Sequence, residues 1–338
     1  MSLPRRWQNM NRIYRRMGTS RQDDKETGKR GKWCPPPRRV WIGLLLSSLL
    51  LLSCTSVRPV IKIGLLAPFE GLHRRSGYSA LTAMRQAIAE MAPAEVAMMP
   101  LALDDAADPA QVERAARKLL QDPDVRALIG PYSPFLAQRI ELLVTAHELA
   151  WWLPFAVTPA EGFVVPVQQP AWAEPLLAAA AEEAAALGCQ RLIVAGWTPG
   201  WPTVTAEQQA AFAIPVLLNE QVSAVASTDA VFWLGPPETG AAYLTSLRAA
   251  HPNVPLLLGL QADDPIFAEY TQISGPVYLL FWIDDGYAQW QQQNTLPPTA
   301  YLTYRATQQA IGQLLGQPAP QLPAWRIEVM PINEGEAP

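Results

Sequence analysis

From residue 60 the chain alternates short apolar runs with stretches whose apolar residues recur every three or four positions. Val60-Ile61-Lys62-Ile63-Gly64-Leu65-Leu66-Ala67 is apolar at nearly every position and rich in branched side chains, which predicts a strand buried on both faces. Pro68-Phe69-Glu70-Gly71 ends it. Residues 76–91 then carry Leu81, Met84, Ala87, Ile88 and Met91 at helical spacing. A second strand is expected over 95–103. Asp108-Pro109 opens the next helix, with an Asp cap and a proline at the first helical position, where an N–H is not needed. Val112, Ala115, Ala116, Leu119 and Leu120 form its inner stripe. Strands over 125–129 and 150–155 bracket a helix that follows Gly130-Pro131-Tyr132-Ser133-Pro134 and runs to about His147.

Residues 156–169 have no period and contain Pro159, Gly162 and Pro166, which marks a boundary. The pattern then restarts. An Ala-rich helix over 172–187 ends at Gly188. Strands follow over 191–195, 214–218, 230–234 and 254–258, with a helix over 238–250 between the last two. A further strand over 276–281, a long helix over 299–315 and a last strand over 325–329 complete the chain. This alternation predicts parallel βαβ units in two doubly wound halves that echo each other at the level of fold.

The first 53 residues are of another kind. They hold 12 Lys and Arg but only three acids, which leaves 14 basic and 27 acidic residues for the rest, a net charge of −13. A body that acidic is repelled by nucleic-acid phosphates and anionic lipid, so no nucleic-acid partner is expected. Behind Arg38-Arg39, the run from Val40 to Ser53 has fourteen residues. A transmembrane helix needs about 20, so the run fits the core of a secretory signal peptide behind a basic flank. Residues 1–53 therefore read as a leader, with Met10 and Met17 as alternative starts.

Cysteine and histidine carry little chemistry. Three Cys make no disulfide scaffold, and His73, His147 and His251 match no zinc spacing. Cys189, in Gly188-Cys189-Gln190-Arg191-Leu192, reads as a small hydrophobe rather than a nucleophile. The chain has no Walker A run, no G-x-S-x-G and no G-x-G-x-x-G. No metal or cofactor is expected, and an enzyme is the disfavoured class.

Leu51-Leu52-Ser53-Cys54 resembles a bacterial lipobox, whose Cys becomes lipid-modified and N-terminal. The alternatives are a plain signal peptide or an uncleaved anchor. Acyl chains on Cys54 would tether an acidic body to a membrane it would otherwise not bind. The body itself resembles the type I periplasmic solute-binding proteins, in particular the branched-chain amino acid and amide group that serves ABC importers. The residues that carry the resemblance are Ile61-Lys62-Ile63-Gly64-Leu65-Leu66-Ala67-Pro68 with Gly71, and Leu103-Asp104-Asp105 with Asp108-Pro109. Ile129-Gly130-Pro131 with Ser133, Thr158-Pro159, Asp229-Ala230-Val231-Phe232-Trp233-Leu234-Gly235 and Gly275-Pro276-Val277-Tyr278 follow in order.

The resemblance implies two Rossmann-like lobes with parallel sheets joined by a three-crossing hinge. Lobe one would take residues 58–157 and 277–316, and lobe two 158–276 and 323–331. It also implies a small amino-acid-like or amide ligand held between the lobes, an ABC permease as partner, and an extracytoplasmic, lipid-anchored location. The implied ligand contacts are Phe69, Glu70, Tyr132, Ser133, Val157 and Thr158 from one side, and Trp197, Gly235, Glu238, Gln261 and Asp263 from the other. Independently, a helix N-terminus after Gly130-Pro131-Tyr132-Ser133 suits a carboxylate, and the hydroxyls of Ser133 and Thr158 add donors. Each hydroxyl has a plainer role, Ser133 as a helix cap and Thr158 in ordering its loop. An ammonium would need an acid such as Glu238, Asp263 or Asp264. Trp197, Trp201 and Trp282 either wall the pocket or pack in the core.

One departure from the family stands out. Gly196-Trp197-Thr198-Pro199-Gly200-Trp201 replaces the usual Tyr-Gly loop, and the segment up to Asp229 is short. It favours a second reading, in which the fold serves as a sensor or docking partner in the cell envelope.

Overall fold

The computed structural model describes residues 58–159, 161–164, 170–197, 201, 203–218, 221–259, 274–317 and 324–332. Cys54 and the leader lie outside them.

The first sheet is formed by β1 (Val60–Ala67), β2 (Ala97–Asp104), β3 (Val125–Ile129) and β4 (Ala150–Trp152), in the order β2-β1-β3-β4. All its pairings are parallel. Helices α1 (Arg74–Met91), α2 (Pro109–Gln121) and α3 (Pro134–Ala146) connect the strands. The side-chain period of β1 explains its unbroken apolar run. Ile63, Leu65 and Ala67 cluster with Ala80, Leu81, Met84 and Ile88 of α1. Leu66, between them, clusters with Val112, Ala116 and Leu119 of α2 and with Leu136 and Ile140 of α3. Both faces are therefore covered, and full burial of each such aliphatic side chain contributes about 1.5–3 kcal/mol. The α2 cap forms as its sequence dictates: the Asp108 carboxylate accepts from the amides of Ala110 and Gln111, and Pro109 is the first helical residue.

A two-stranded antiparallel hairpin, β5 (Val157–Thr158) with β6 (Gly162–Phe163), lies at the first boundary. Beyond it come α4 (Glu174–Ala186), β7 (Arg191–Ala195), α5 (Ala206–Ala211), β8 (Val216–Leu218), β9 (Asp229–Trp233), α6 (Pro237–Ala250), β10 (Leu256–Leu258) and β11 (Val277–Ile283). The last elements are α7 (Tyr287–Gln293), α8 (Pro298–Leu314) and β12 (Arg326–Pro331). The second sheet runs β12-β11-β10-β9-β7-β8. Alternate residues of β7 and β9 again divide between two faces. Leu192, Val194, Ala230 and Phe232 meet α4, whereas Ile193, Val231 and Trp233 join the cluster that holds Leu244 and Leu247 of α6.

Two details differ from the expectation. The strand over 277–283, placed in lobe one by the resemblance, pairs with β10 and β12 in the second sheet. Its run Val-Tyr-Leu-Leu-Phe-Trp-Ile is apolar enough to be central in either sheet, so pattern alone does not say which. Helix α8, further on, does return to the first sheet, where Ala306, Ala310 and Ile311 cluster with Ile63 and Met84. In addition, β12 is antiparallel to β11, so the second sheet is parallel except at that edge.

Arg191 and Asp229, at the starts of β7 and β9, form a two-pronged ion pair of 2.9 and 2.7 Å. Asp229 also accepts from the amide of Ala226 at 2.8 Å, so its buried carboxylate is satisfied. Cys189 lies nearby, half-buried. Burial, and then the charge of Asp229, push its thiol pKa up, so little thiolate is available at neutral pH.

Candidate functional site

Each sheet has one point where the chain order reverses. From β1 the chain goes outward to β2 and returns on the other side as β3, so the loops after β1 and β3 diverge there. In the second sheet β7 leads to β8 on one side and to β9 on the other. Such reversal points open a crevice beyond the carboxyl ends of the strands, where ligands of open α/β sheets bind. The loops concerned contain Phe69 and Glu70, Tyr132 and Ser133, Trp197, and Gly235. The observed topology thus brings six of the expected contacts to the two crevices.

In the first crevice, the Asp104 carboxylate ends β2 and holds the loop after β1. Its Oδ1 accepts from the amides of Phe69 at 2.6 Å, Glu70 at 3.2 Å and Ala106 at 3.1 Å. Those amides are already engaged by a protein carboxylate and so do not serve an anionic ligand. The Phe69 ring is half-buried and meets Tyr78 edge-on, with centroids 5.6 Å apart. Glu70 is exposed.

The loop after β3 is fixed by its backbone. Gly130 has φ +87°, and a Cβ there would stand 2.1 Å from the Leu66 carbonyl oxygen. The Gly130 amide donates to the Trp152 carbonyl at 2.9 Å, and its own carbonyl accepts from the Trp151 indole at 2.6 Å. The Gly130–Pro131 bond is cis. Tyr132 directs its hydroxyl to Thr303 of α8, 2.5 Å away, so it ties the loop to the helix. Ser133 occupies the N-cap position of α3 with extended backbone, but its hydroxyl makes no capping bond. The plainer role is therefore not taken up by the side chain. The first turn of α3 keeps amides without a side-chain cap, at the positive end of the helix dipole.

Val157 and Thr158 behave otherwise. Val157 is fully buried in the main core, so its side chain packs rather than lines a crevice. Thr158 Oγ1 accepts from the Glu161 amide at 3.2 Å, the loop-ordering role.

The second crevice has an apolar floor. Gly196 has φ +73°, and a Cβ there would meet the Gly235 nitrogen at 2.3 Å, so the two loops touch backbone to backbone. A Cβ at Gly235 would meet the Trp233 ring at 2.7 Å, so this glycine offers backbone alone. Trp197 is half-buried and lies 5.2 Å from Trp201, which is 4.8 Å from Trp172, which is 5.1 Å from Phe155. Trp282, a candidate pocket wall, is 1% exposed and belongs to the core: β11 sits inside the second sheet, and both its faces are covered. Glu238 is the second residue of α6, and its side chain lies outside what the structure describes, as do Gln261, Asp263 and Asp264 entirely.

The sequence gives no warning of Asp105, next to the Asp104 clamp. It is 1% exposed; Oδ1 accepts from the Ala107 amide at 3.0 Å, while Oδ2 has no partner. Burial raises its pKa to about 6; the Ala107 amide and His73 oppose the rise, and Asp104 adds to it. The native state thus favours the protonated acid. Between the ordinary carboxyl value and about pH 6 the folded chain holds a proton that the unfolded chain has released. Stability from this group therefore falls as pH rises through that window, by about 1.4 kcal/mol per unit, and levels off above it. Asp105→Asn removes this slope. Urea midpoints from pH 4 to 7 check it, read as the difference between variant and wild type.

No protein-family model matches the chain, and no curated protein sequence matches it. Solved structures do. A leucine-binding protein from Thermotoga maritima is similar with a TM-score of 0.60 and 15% identity, over 76% of this chain and 84% of that one. An ABC transporter substrate-binding protein from Desulfitobacterium hafniense, in complex with Leu, is similar with a TM-score of 0.55 and 16% identity, over 77% and 85%. A solute-binding protein of an ABC transporter from R. palustris, in complex with 4-hydroxybenzoate, is similar with a TM-score of 0.54 and 15% identity, over 75% and 80%. The fold is that of the type I periplasmic binding proteins.

Proposed function

We propose that this protein is an extracytoplasmic solute-binding lipoprotein. It captures a small amino-acid-like or amide ligand between its lobes and delivers it to an ABC permease. The observation that carries the reading is the hydroxyl of Ser133, free of any capping duty at the N-terminus of α3 and placed at the reversal point of the first sheet. A ligand carboxylate there accepts from that hydroxyl and from first-turn amides, with the helix dipole in its favour. Solved relatives of the fold that hold leucine or 4-hydroxybenzoate, both carboxylates, support the reading. Closure of the lobes by hinge motion then presents a liganded face to the permease.

A thermal-shift screen against amino acids, amides and small carboxylates tests this. A ligand at 100 times its Kd stabilises the fold by about 2.7 kcal/mol. Ser133→Ala weakens carboxylate binding by about 1–3 kcal/mol, because a charged acceptor loses a donor. Unchanged affinity in that variant moves the carboxylate elsewhere.

Cys54 carries the anchor in this reading. Cys54→Ser releases the protein into the soluble fraction, whereas a variant that stays with the membrane points to an uncleaved helix. Among the described residues no helix is long and apolar enough to cross a membrane.

A second reading rests on α5, which has six residues, none of them buried, between β7 and β8. That reduced connection suits a sensor or docking partner that keeps the fold without transport. A screen in which nothing shifts the melting point favours it.

A further inference from the structure

We propose that the outer edge of β8 (Val216–Leu218) docks an extended, lysine- or arginine-bearing segment of another protein, which joins the second sheet as a further strand. The proposal goes beyond solute capture and does not depend on the crevices.

The two large sheets end in β2, β4, β12 and β8. Three of these strands are poor templates for another. At β2 the amides of Ala97 and, just past its end, Asp105 donate inward to the carbonyls of Pro59 and Ala67. Even-numbered residues therefore face outward, and Pro100 among them removes the N–H at the middle of that edge. Strand β4 has three residues, of which Trp151 and Trp152 are buried. Strand β12 carries exposed Arg326 and Glu328, charges that blunt an edge.

Strand β8 has none of these devices. Among the described residues no strand lies beyond it, and it holds neither a charge nor a proline. The Leu192 amide donates to the Pro215 carbonyl at 2.9 Å, so odd positions face β7, and Val216 and Leu218 turn N–H and C=O outward. Val216 packs with Leu176 and Leu177 of α4. Leu217, on the opposite face, is 42% exposed, and Leu218 is 47% exposed. Helix α5, which leads into β8, has six residues and buries none of them, so it shields little of this edge.

Charge says what kind of strand fits. Residues 158–276 hold eleven acids and only two basic residues, Arg191 and Arg248, a net charge of −9. Both arginines are committed. Arg191 pairs with Asp229, and Arg248 donates to the carbonyls of Pro252, Val254 and Pro276. Glu207 of α5 is exposed, and Glu220 follows β8 by two residues in the sequence. A second copy of this chain brings the same charge to the same edge and is repelled. A basic segment is attracted, and the acidic field speeds its encounter. Main-chain bonds to Val216 and Leu218 then set its register, and the two exposed leucines take its apolar residues.

The test is fluorescence anisotropy of the full chain in mild detergent with a labelled, end-capped peptide of alternating Lys and Val. Two controls are used: a peptide of alternating Glu and Val, and the Lys-Val peptide N-methylated at two adjacent central residues. The second blocks both edges of the peptide and keeps every charge. The Lys-Val peptide is expected to bind, with affinity falling about fivefold or more between about 0.05 and about 0.5 M salt as screening shortens the reach of the field. The Glu-Val peptide does not bind, and N-methylation costs about tenfold or more. Leu218→Pro deletes one outward N–H and no bond to β7, as Pro100 does in β2, and costs about tenfold with an unchanged melting temperature. If the N-methylated peptide or Leu218→Pro binds as well as its parent, the attraction is charge alone and the edge assignment is wrong. If the Glu-Val peptide binds equally, or neither peptide binds, the proposal fails. Sedimentation that shows wild-type dimers, absent in Leu218→Pro, also overturns it, because the edge then pairs copies of this chain. Should Leu218→Pro not fold, the N-methylated peptide on wild type decides alone. None of these outcomes bears on solute binding.

Discussion

Arg305→Leu lowers the stability of the protein by about 3–5 kcal/mol, the usual cost of removing one partner of a buried ion pair. Asp284 is the reason. It stands just beyond β11, where the chain leaves the second sheet, and its side chain is 0% exposed. The carboxylate accepts from Arg305 Nε at 2.7 Å, from the Gly286 amide at 2.8 Å and from the Tyr301 hydroxyl. Burial, and then Asp284 itself, push the Tyr301 pKa upward, so this hydroxyl stays protonated and keeps donating. Without Arg305 the carboxylate keeps two neutral donors but loses its counter-charge, in a place that water does not reach. The double variant Arg305→Leu, Asp284→Leu recovers much of the loss, because no charge is then left buried. Urea unfolding of the three variants checks the asymmetry. A single variant within 1 kcal/mol of wild type would show that the pair contributes little.

The pair also ties together the return from the second sheet to the first. Arg305 lies on α8, which packs on α1 of the first lobe. From the neighbouring position, the Tyr304 hydroxyl reaches Glu90 of α1 at 2.5 Å, and Gln308, one turn on, donates to Tyr304 at 2.7 Å. Tyr132 joins the same helix through Thr303. The loop that carries Ser133 and the crossing after β11 are therefore fastened to one helix. In the solute-binding reading proposed above, a change in the crossing on lobe closure would have a direct mechanical route to the loop that carries Ser133.

Local signals in the sequence were strong where one physical rule decides. Asp108-Pro109 opens α2 as written, and Gly188, with φ +80°, follows the Ala-rich helix as written. The unbroken apolar run of β1 needs covering on both faces, and that requirement alone predicts helices on both sides of the sheet. The signals were weak where partners are far apart in sequence. Nothing local in Val277–Ile283 says which sheet it joins, and nothing in Arg326–Pro331 fixes its direction, since strand orientation is set by the path of the connection. The hairpin of Val157–Thr158 with Gly162–Phe163 and the helix Tyr287–Gln293 are too short to show a period. At the site, the reversal-point loops were legible because strand ends and helix starts are. The roles of their side chains were not. Thr158 and Ser133 read alike, yet one hydroxyl orders a turn and the other leaves its cap unmade. Trp282 and Trp197 also read alike, and only the sheet order separates a core residue from a half-buried one. The Asp104 clamp joins positions 35 and 34 residues apart, a distance over which spacing carries no information.

Gly130→Ala is expected to damage both the fold and the site. The residue sits at φ +87°, where a side chain costs about 1–2 kcal/mol in left-handed backbone. The added Cβ would also stand 2.1 Å from the carbonyl oxygen of Leu66. That neighbour is backbone in β1, a central strand paired on both edges, so it has little freedom to retreat. Relief must come from the loop after β3, and overpacking of this kind costs about 1–3 kcal/mol more. The sum is about 2–5 kcal/mol of stability. The loop that gives way is the one whose amide and carbonyl are held by Trp152 and Trp151 and which positions Ser133. A shift there misplaces the hydroxyl and the first turn of α3 together, so carboxylate affinity falls further than in Ser133→Ala. Melting temperature and calorimetric titration, measured on the same preparations, separate the two effects. A variant that melts near wild type and binds as well would mean that β1 yields, and that the ligand loop is not held by this contact.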